Sequence, residues 1–306
     1  MRVGVLRNPM STRNLGSAHR DFPDGISLVE VGTNKTIADA AYELTREDLD
    51  LLIIDGGDGT ICAVLSALIA RGIAVPPVAF LPNGNTNLIA RKTGGSLKPK
   101  ALRQLVEMSP EALADRLYPT PVLRFSITGE DVRCGFIAGW GAYARGTRMA
   151  MEEISTRHDK QVAAAIFATL RRSLFGAEAR EIRNGIDCRF EADGEPAQNS
   201  KRFVGVVTCF EGPLAAGANP FWGKGTGSIR WLDVISPPRF HLLFTPFILC
   251  GFRLPLFERL GYRSGRAVRL AVTLSEEMII DGEIVPIKPN TTVDIDADHH
   301  IDILQL

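Results

Sequence analysis

Along the first third of the chain, short apolar runs alternate with segments whose apolar residues recur at helical spacing. "RVGVLR" at residues 2–7 and "ISLVEV" at residues 26–31 read as strands, "IADAAYELTRE" at residues 37–47 as a helix, and "DLLII" at residues 50–54 as a further buried strand. "ICAVLSALIARG" at residues 61–72 then reads as a helix closed by Gly72, and "PVAFLP" at residues 77–82 as a strand running into the polar "NGNTN". Short apolar strands separated by helices predict parallel pairing with helices on both faces. The expectation is an open, mostly parallel α/β domain over residues 1–118.

From residue 119 the rhythm changes to that of an antiparallel β domain reaching residue 306, whose extreme C-terminal strand is expected to pack back on the first domain. "VLRFSITGEDVRCGFIAG" predicts a hairpin turning at Gly129, Glu130 and Asp131. Further strands are expected at Ala179–Ala192, Phe203–Phe210, Ile229–Ile235, Ala267–Leu274, Glu277–Ile280, Thr292–Ile295 and Ile301–Leu304. A helix is expected between Asp159 and Gly176, where Val162, Ile166, Phe167, Leu170 and Leu174 share one face and Arg171 and Arg172 form a solvated edge. The loop from Glu211 to Gly227 is long and glycine-rich. The apolar segment from Phe240 to Phe257 is broken by Pro246, Arg253 and Pro255, so it cannot span a bilayer. It reads first as a buried helix with a proline bend, and second as an apolar surface that admits a lipid.

Composition narrows the partners. With 306 residues and 45% hydrophobic content, the chain exceeds the size at which single cores stop growing. Lys plus Arg and Asp plus Glu both total 35, so no global field recruits nucleic acid. The five cysteines follow no C-x-x-C or zinc spacing and read as reduced thiols. The apolar start "MRVGVLRNPM" is too short for a signal peptide, which points to a cytoplasmic protein. His158, His241, His299 and His300 lack metal-ligand spacing, and neither a G-x-S-x-G elbow nor the dinucleotide fingerprint occurs.

Chemistry concentrates where the strands end. In "DGGDGT", Gly56, Gly57 and Gly59 sit between a strand and a helix, where backbone amides and the helix dipole favour a phosphate. Asp58 lies inside this turn, where a carboxylate implies an accompanying metal or proton, and a merely structural turn has no evident need of it. Thr60 can cap the helix or donate to an oxygen. The next strand end gives a second polar turn with Gly84, Asn85, Thr86 and Asn87, followed by Arg91. The first strand end adds Asn8, Ser11 and Arg13. Parallel strands place these loops along one edge, where open α/β sheets bind ligands. The late "IIDGEIVPI" is by its own pattern a hairpin turn, Asp-Gly between apolar strands. Asp233, in "SIRWLDV", reads as a surface residue.

"GGDGTI" followed by Pro82, Gly84, Asn87, Ala90 and Arg91, with "N-P-x-S" at Asn8–Ser11 and "D-G-E" at Asp281–Glu283, resembles the soluble diacylglycerol and sphingosine kinase family. The resemblance implies an NAD kinase-like α/β domain plus a β domain, an active site in the cleft between them, ATP and Mg²⁺ as cofactors, and a lipid hydroxyl as acceptor. It assigns the glycine turn to the nucleotide phosphates, Asp281 to the catalytic base, Glu283 to a supporting acid near the metal, and Asp58 to the catalytic and metal set. A lipid substrate implies transient contact with a membrane surface, so the protein would be peripheral there; a homodimer is left open. The chain departs from the diacylglycerol kinase pattern at Asn85, where Thr is usual, and at Leu88, where Asp is usual. A binding protein of the same fold without turnover is one alternative, and an NAD-type small-molecule kinase is another.

Overall fold

A computed structural model describes residues 1–15, 22–155, 179–195, 198–214 and 217–306. The chain divides into two compact units: Met1–Val122 with Asp131–Gly135 and His299–Leu306, and Leu123–Glu130 with Phe136–Asp298. The fold class is the expected one, with parallel strands in the first unit and antiparallel strands in the second.

In the first unit β1 (Val3–Arg7), β2 (Ile26–Glu30), β3 (Leu51–Gly56) and β4 (Val78–Pro82) pair in the order β4-β3-β1-β2, all parallel. The strands alternate their side chains between two covered faces. On one face Val3, Val5, Leu51, Ile53, Ala79 and Leu81 join Leu102, Leu105 and Leu113 from the helices Ala101–Glu107 and Pro110–Ala114. Across the other lie α1 (Ile37–Leu44) and α2 (Asp58–Ala70), tied by Tyr42, whose Oη donates to the Ala67 carbonyl at 3.0 Å. Thr36 starts α1 with a capping box that it shares with Asp39. Burying each large aliphatic side chain of these strands stabilises the unit by about 1.5–3 kcal/mol, and the register leaves Arg7, Gly56 and Pro82 at one edge.

The second unit is built on antiparallel pairings. After β5 (Leu117–Ile127) and β6 (Arg133–Gly135), its strands include β7 (Ile137–Gly141), β8 (Ile186–Ala192), β9 (Gln198–Thr208), β10 (Ile229–Ile235), β11 (Tyr262–Ala267), β12 (Arg269–Leu274), β13 (Met278–Ile280) and β14 (Glu283–Val285). Gly205 of β9 is required by the core, because a Cβ there would lie 2.0 Å from Cε2 of the fully buried Trp140. Four expectations change. Ala179–Asn184 is a helix, which Gly185 ends at φ +66°, and only the stretch from Ile186 is strand. The two expected terminal strands are one, β15 (Thr291–Leu304). Asp233 is not a surface residue but fully buried between two arginines. The Phe240 segment is buried on one side only: it forms the expected helix, His241–Leu249 around Pro246, with Phe244 and Ile248 buried and Leu243 63% exposed. The helix expected between Asp159 and Gly176 lies outside the described residues. Among the described residues no helix is long and apolar enough to cross a membrane.

Candidate active site

In the first unit a buried polar knot organises the strand ends. Asp55, at the end of β3, is fully buried, and its Oδ1 accepts from Asn14 Nδ2 at 3.0 Å and from Asn83 Nδ2. Arg7 Nε stands 3.7 Å from its other oxygen, and Arg7 Nη1 pairs with Glu30 at 2.8 Å. A buried carboxylate is tolerable only with such partners. Backbone bonds complete the tie: Asn8 N donates to the Asp55 carbonyl at 2.9 Å and Arg13 N to that of Asn83 at 2.9 Å. Three loops, after β1, β3 and β4, are thereby fixed to one another. The sequence reading missed Arg7, Asp55, Asn14 and Asn83; the signal was a charge closing each buried strand, "VGVLR" and "LLIID".

The glycines answer to packing as well as to a ligand. A Cβ on Gly84 would lie 2.6 Å from the Gly57 Cα, so the two polar turns touch backbone to backbone. A Cβ on Gly56 would strike the Thr60 side chain at 2.7 Å. That side chain is held where its Oγ1 accepts from Asn8 Nδ2 at 2.9 Å. The N-cap Gly57 supplies no side-chain oxygen to the first turn of α2, leaving the start of that helix without a side-chain cap.

Asp58 has a structural task that its place inside a phosphate turn did not suggest. Its Oδ2 accepts from Leu88 N at 2.9 Å and its Oδ1 from Ile89 N at 3.1 Å. It thus caps α3 (Leu88–Thr93), whose own N-cap, Asn87, makes no capping bond. Asn87 sits in the left-handed region at φ 47°, and its side chain closes on Gly84, accepting from the amide at 2.9 Å and donating to the carbonyl at 2.8 Å. Asp58 and Asn87 therefore lock the second turn, whereas Asn85, Thr86 and Arg91 are exposed. Ser11 is buried, its carbonyl accepting from Asn14 N at 2.8 Å, and Gly59 lies half-buried in the first turn of α2.

Burial raises the Asp58 carboxyl above its ordinary value of 3.8, opposed by the two amides and then by Arg91. The folded state therefore holds this proton more tightly than the unfolded chain. Stability from this group is fully present below pH 3.8 and is lost as pH rises through the folded-state value. Asp58→Asn, with one acceptor oxygen for two amides, should weaken the first unit by about 1–2 kcal/mol and flatten the pH dependence just above the ordinary carboxyl value. Urea unfolding of both proteins across that range checks this, and parallel slopes would refute the sign.

In the second unit the Asp-Gly hairpin reading is correct in its geometry. Ile280 pairs with Glu283 across Asp281 at φ 45° and Gly282 at φ 89°, both positive as a two-residue turn of this hand requires. The carboxylate also has work: Oδ2 accepts from Phe136 N at 2.7 Å and Oδ1 from Ile137 N at 3.1 Å, while Asp281 N donates to the Ile137 carbonyl at 2.9 Å. Burial, and then the charge of Asp281, push the Tyr143 phenol up. Glu283 is exposed on the outgoing strand. Among the described residues no group of three or more His, Cys, Asp or Glu is placed to hold a metal.

The family profile of the diacylglycerol kinase catalytic domain matches residues 3–114. Two solved structures from Bacillus anthracis str. Sterne share the fold over nearly the whole chain. One, described as a candidate diacylglycerol kinase, has 15% identity and a TM-score of 0.63, covering 99% of this chain and 97% of its own. The other, described as a diacylglycerol kinase, has 14% identity and a TM-score of 0.57 over the same shares. No curated protein matches by sequence. At such identities the solved structures speak for the fold, and the stretch that holds the paired glycine turns, residues 3–114, is what matches the diacylglycerol kinase catalytic-domain profile.

Proposed function

We propose that this chain transfers the γ-phosphoryl group of ATP to the hydroxyl of a lipid, diacylglycerol-like or sphingoid-like. The observation that carries the reading is the pair of glycine turns locked together through Asp58 beside the uncapped start of α2, within the stretch that matches the diacylglycerol kinase catalytic-domain profile. Phosphoryl transfer asks for positioning and for charge stabilisation at fixed donors. The amides of Gly57, Gly59 and Thr60, with the exposed Asn85, Thr86 and Arg91 and the loop from Asn8 to Ser11, are the groups we assign to the nucleotide. Asn8, Gly56, Gly84 and Asn87 hold those loops in shape, and Asp58 acts with them as a positioning residue.

Asp281 is assigned as the base. Its carboxylate is fixed in place by the amides of Phe136 and Ile137, and a positioned carboxylate is the group type that takes an alcohol proton in such a transfer. The acceptor oxygen attacks the γ-phosphorus, the bond to the β-phosphate oxygen breaks, and the proton goes to Asp281. Tyr143, its phenol pushed up, stays protonated at neutral pH and does not compete for that role. Mg²⁺ takes one or two carboxylates and otherwise binds phosphates and water. The exposed Glu283 fits that demand better than Asp58, both of whose oxygens already accept amide hydrogens. The ion would supply neutralisation of charge on the transferring group.

One observation favours a second reading: both motif acids make hydrogen bonds that a folded, inactive binding protein would equally need. The two readings separate in solution. Purified protein with ATP, Mg²⁺ and a panel of diacylglycerols and sphingoid bases should yield a phospholipid and ADP. Calorimetric binding of Mg²⁺ and ATP with no product from any acceptor would overturn the kinase reading in favour of binding alone.

A further inference from the structure

The second unit displays an apolar surface that its own core does not use. From Phe240 to Leu256, Phe240 is 66%, Leu243 63% and Phe252 60% exposed, and Leu242, Phe247 and Leu256 are also exposed. The helix His241–Leu249 is uncharged on every face, and His241, Phe244 and Ile248 already anchor it inward. Phe244 stacks edge-on with Phe257 at 5.2 Å and with Tyr262 at 5.7 Å, so the outward residues are surplus to a complete core contact. Phe240 adopts φ 54°, a left-handed backbone that costs a bulky residue about 1–3 kcal/mol. Asn or Gly would fill that position with less strain, yet the chain spends it on an exposed aromatic ring.

Charge indicates what covers this face. Between residues 239 and 259 the charged side chains are Arg239, Arg253 and Arg259 against the single acid Glu258, which Arg253 contacts at 2.9 Å. All four are exposed: Arg239 precedes the apolar run, Glu258 and Arg259 follow it, and Arg253 lies within its last stretch, after the helix. A short helix, apolar outward and flanked by arginines that can reach up to phosphate groups, fits the plane of a bilayer interface. We infer that the segment from Arg239 to Arg259 docks this protein on an anionic phospholipid surface. The inference deepens the lipid-kinase reading and draws its purpose from it, since a membrane is where a lipid acceptor is found.

The test uses the full chain and vesicles that contain neither ATP nor an acceptor lipid, so that docking is read apart from catalysis. Vesicles of phosphatidylcholine with phosphatidylglycerol should sediment the protein, and vesicles of phosphatidylcholine alone should do so several-fold less well. Leu243→Asp with Phe252→Asp, both at exposed positions, should lower binding about tenfold or more with unchanged thermal unfolding. Arg239→Gln with Arg253→Gln should lower binding to the anionic vesicles alone. Absence of vesicle binding by the natural chain, or binding indifferent to the aspartates, overturns the proposal. So does dimerisation abolished by the aspartates without vesicle binding, which would assign the face to a second copy. Vesicle binding with no phosphorylation of any acceptor would leave docking standing and remove the kinase reading. A short-chain acceptor in solution completes the separation, because the aspartate variant should still phosphorylate it.

Discussion

Asp281→Asn is expected to lower turnover of ATP with a lipid alcohol by about 100- to 10,000-fold, the usual contribution of a positioned proton acceptor. Asparagine tolerates the left-handed backbone that the hairpin imposes at φ 45°, so the turn itself should persist. The variant also loses one of two acceptor oxygens, so the amide of Phe136 or Ile137 faces an NH₂ group, at about 1–3 kcal/mol of stability. Two losses are therefore predicted from one substitution, and they must be read separately. Turnover is measured per folded molecule, with nucleotide affinity and urea unfolding alongside. A rate that falls only in proportion to the folded fraction would leave Asp281 as a hairpin pin and end its assignment as the base. A large fall in turnover, with ATP affinity retained, is what the assignment requires.

Much of the first unit was legible because its information is local. Apolar runs of five or six residues give β1, β3 and β4, and glycine turns after two of them mark the ligand edge. What could not be read was which distant group each polar residue would meet. Asp58 looked like a reactive acid because its acceptor bonds run to amides 30 and 31 residues away. Gly57 looked like an open door for phosphate, and the Gly84 backbone that touches it lies in another loop. In the second unit, "YRSGRA" hides β11 behind arginine and glycine, and "ARE" at the start of the expected strand from Ala179 belongs to a helix. Periodicity weighs side chains one at a time, whereas a buried ion pair is settled by what stands across the sheet.

Asp233 is the sharpest instance and yields the largest stability effect expected. It faces Arg263 directly in the β10–β11 register, and Arg202 Nε of β9 approaches its Oδ1 at 2.7 Å. Both Asp233 and Arg202 are fully buried. Such a cluster need not stabilise the fold relative to apolar side chains, because desolvating three charges offsets most of their attraction. Removing one member is a different matter, since it strands the others. Asp233→Ala should cost about 3–5 kcal/mol by leaving two guanidinium groups without their shared carboxylate. Replacing the set together, with Arg202→Met, Asp233→Leu and Arg263→Met, should cost far less and can raise stability. Chemical denaturation of the two proteins beside the natural chain makes the comparison. Equal losses would show that the side-chain shapes matter and the charges do not, and a negligible loss in the single variant would show that water or a rearranged arginine relieves the stranded charge. The predicted contrast follows from electrostatics alone, and it separates what this sheet needs for stability from what Asp281 would need for chemistry.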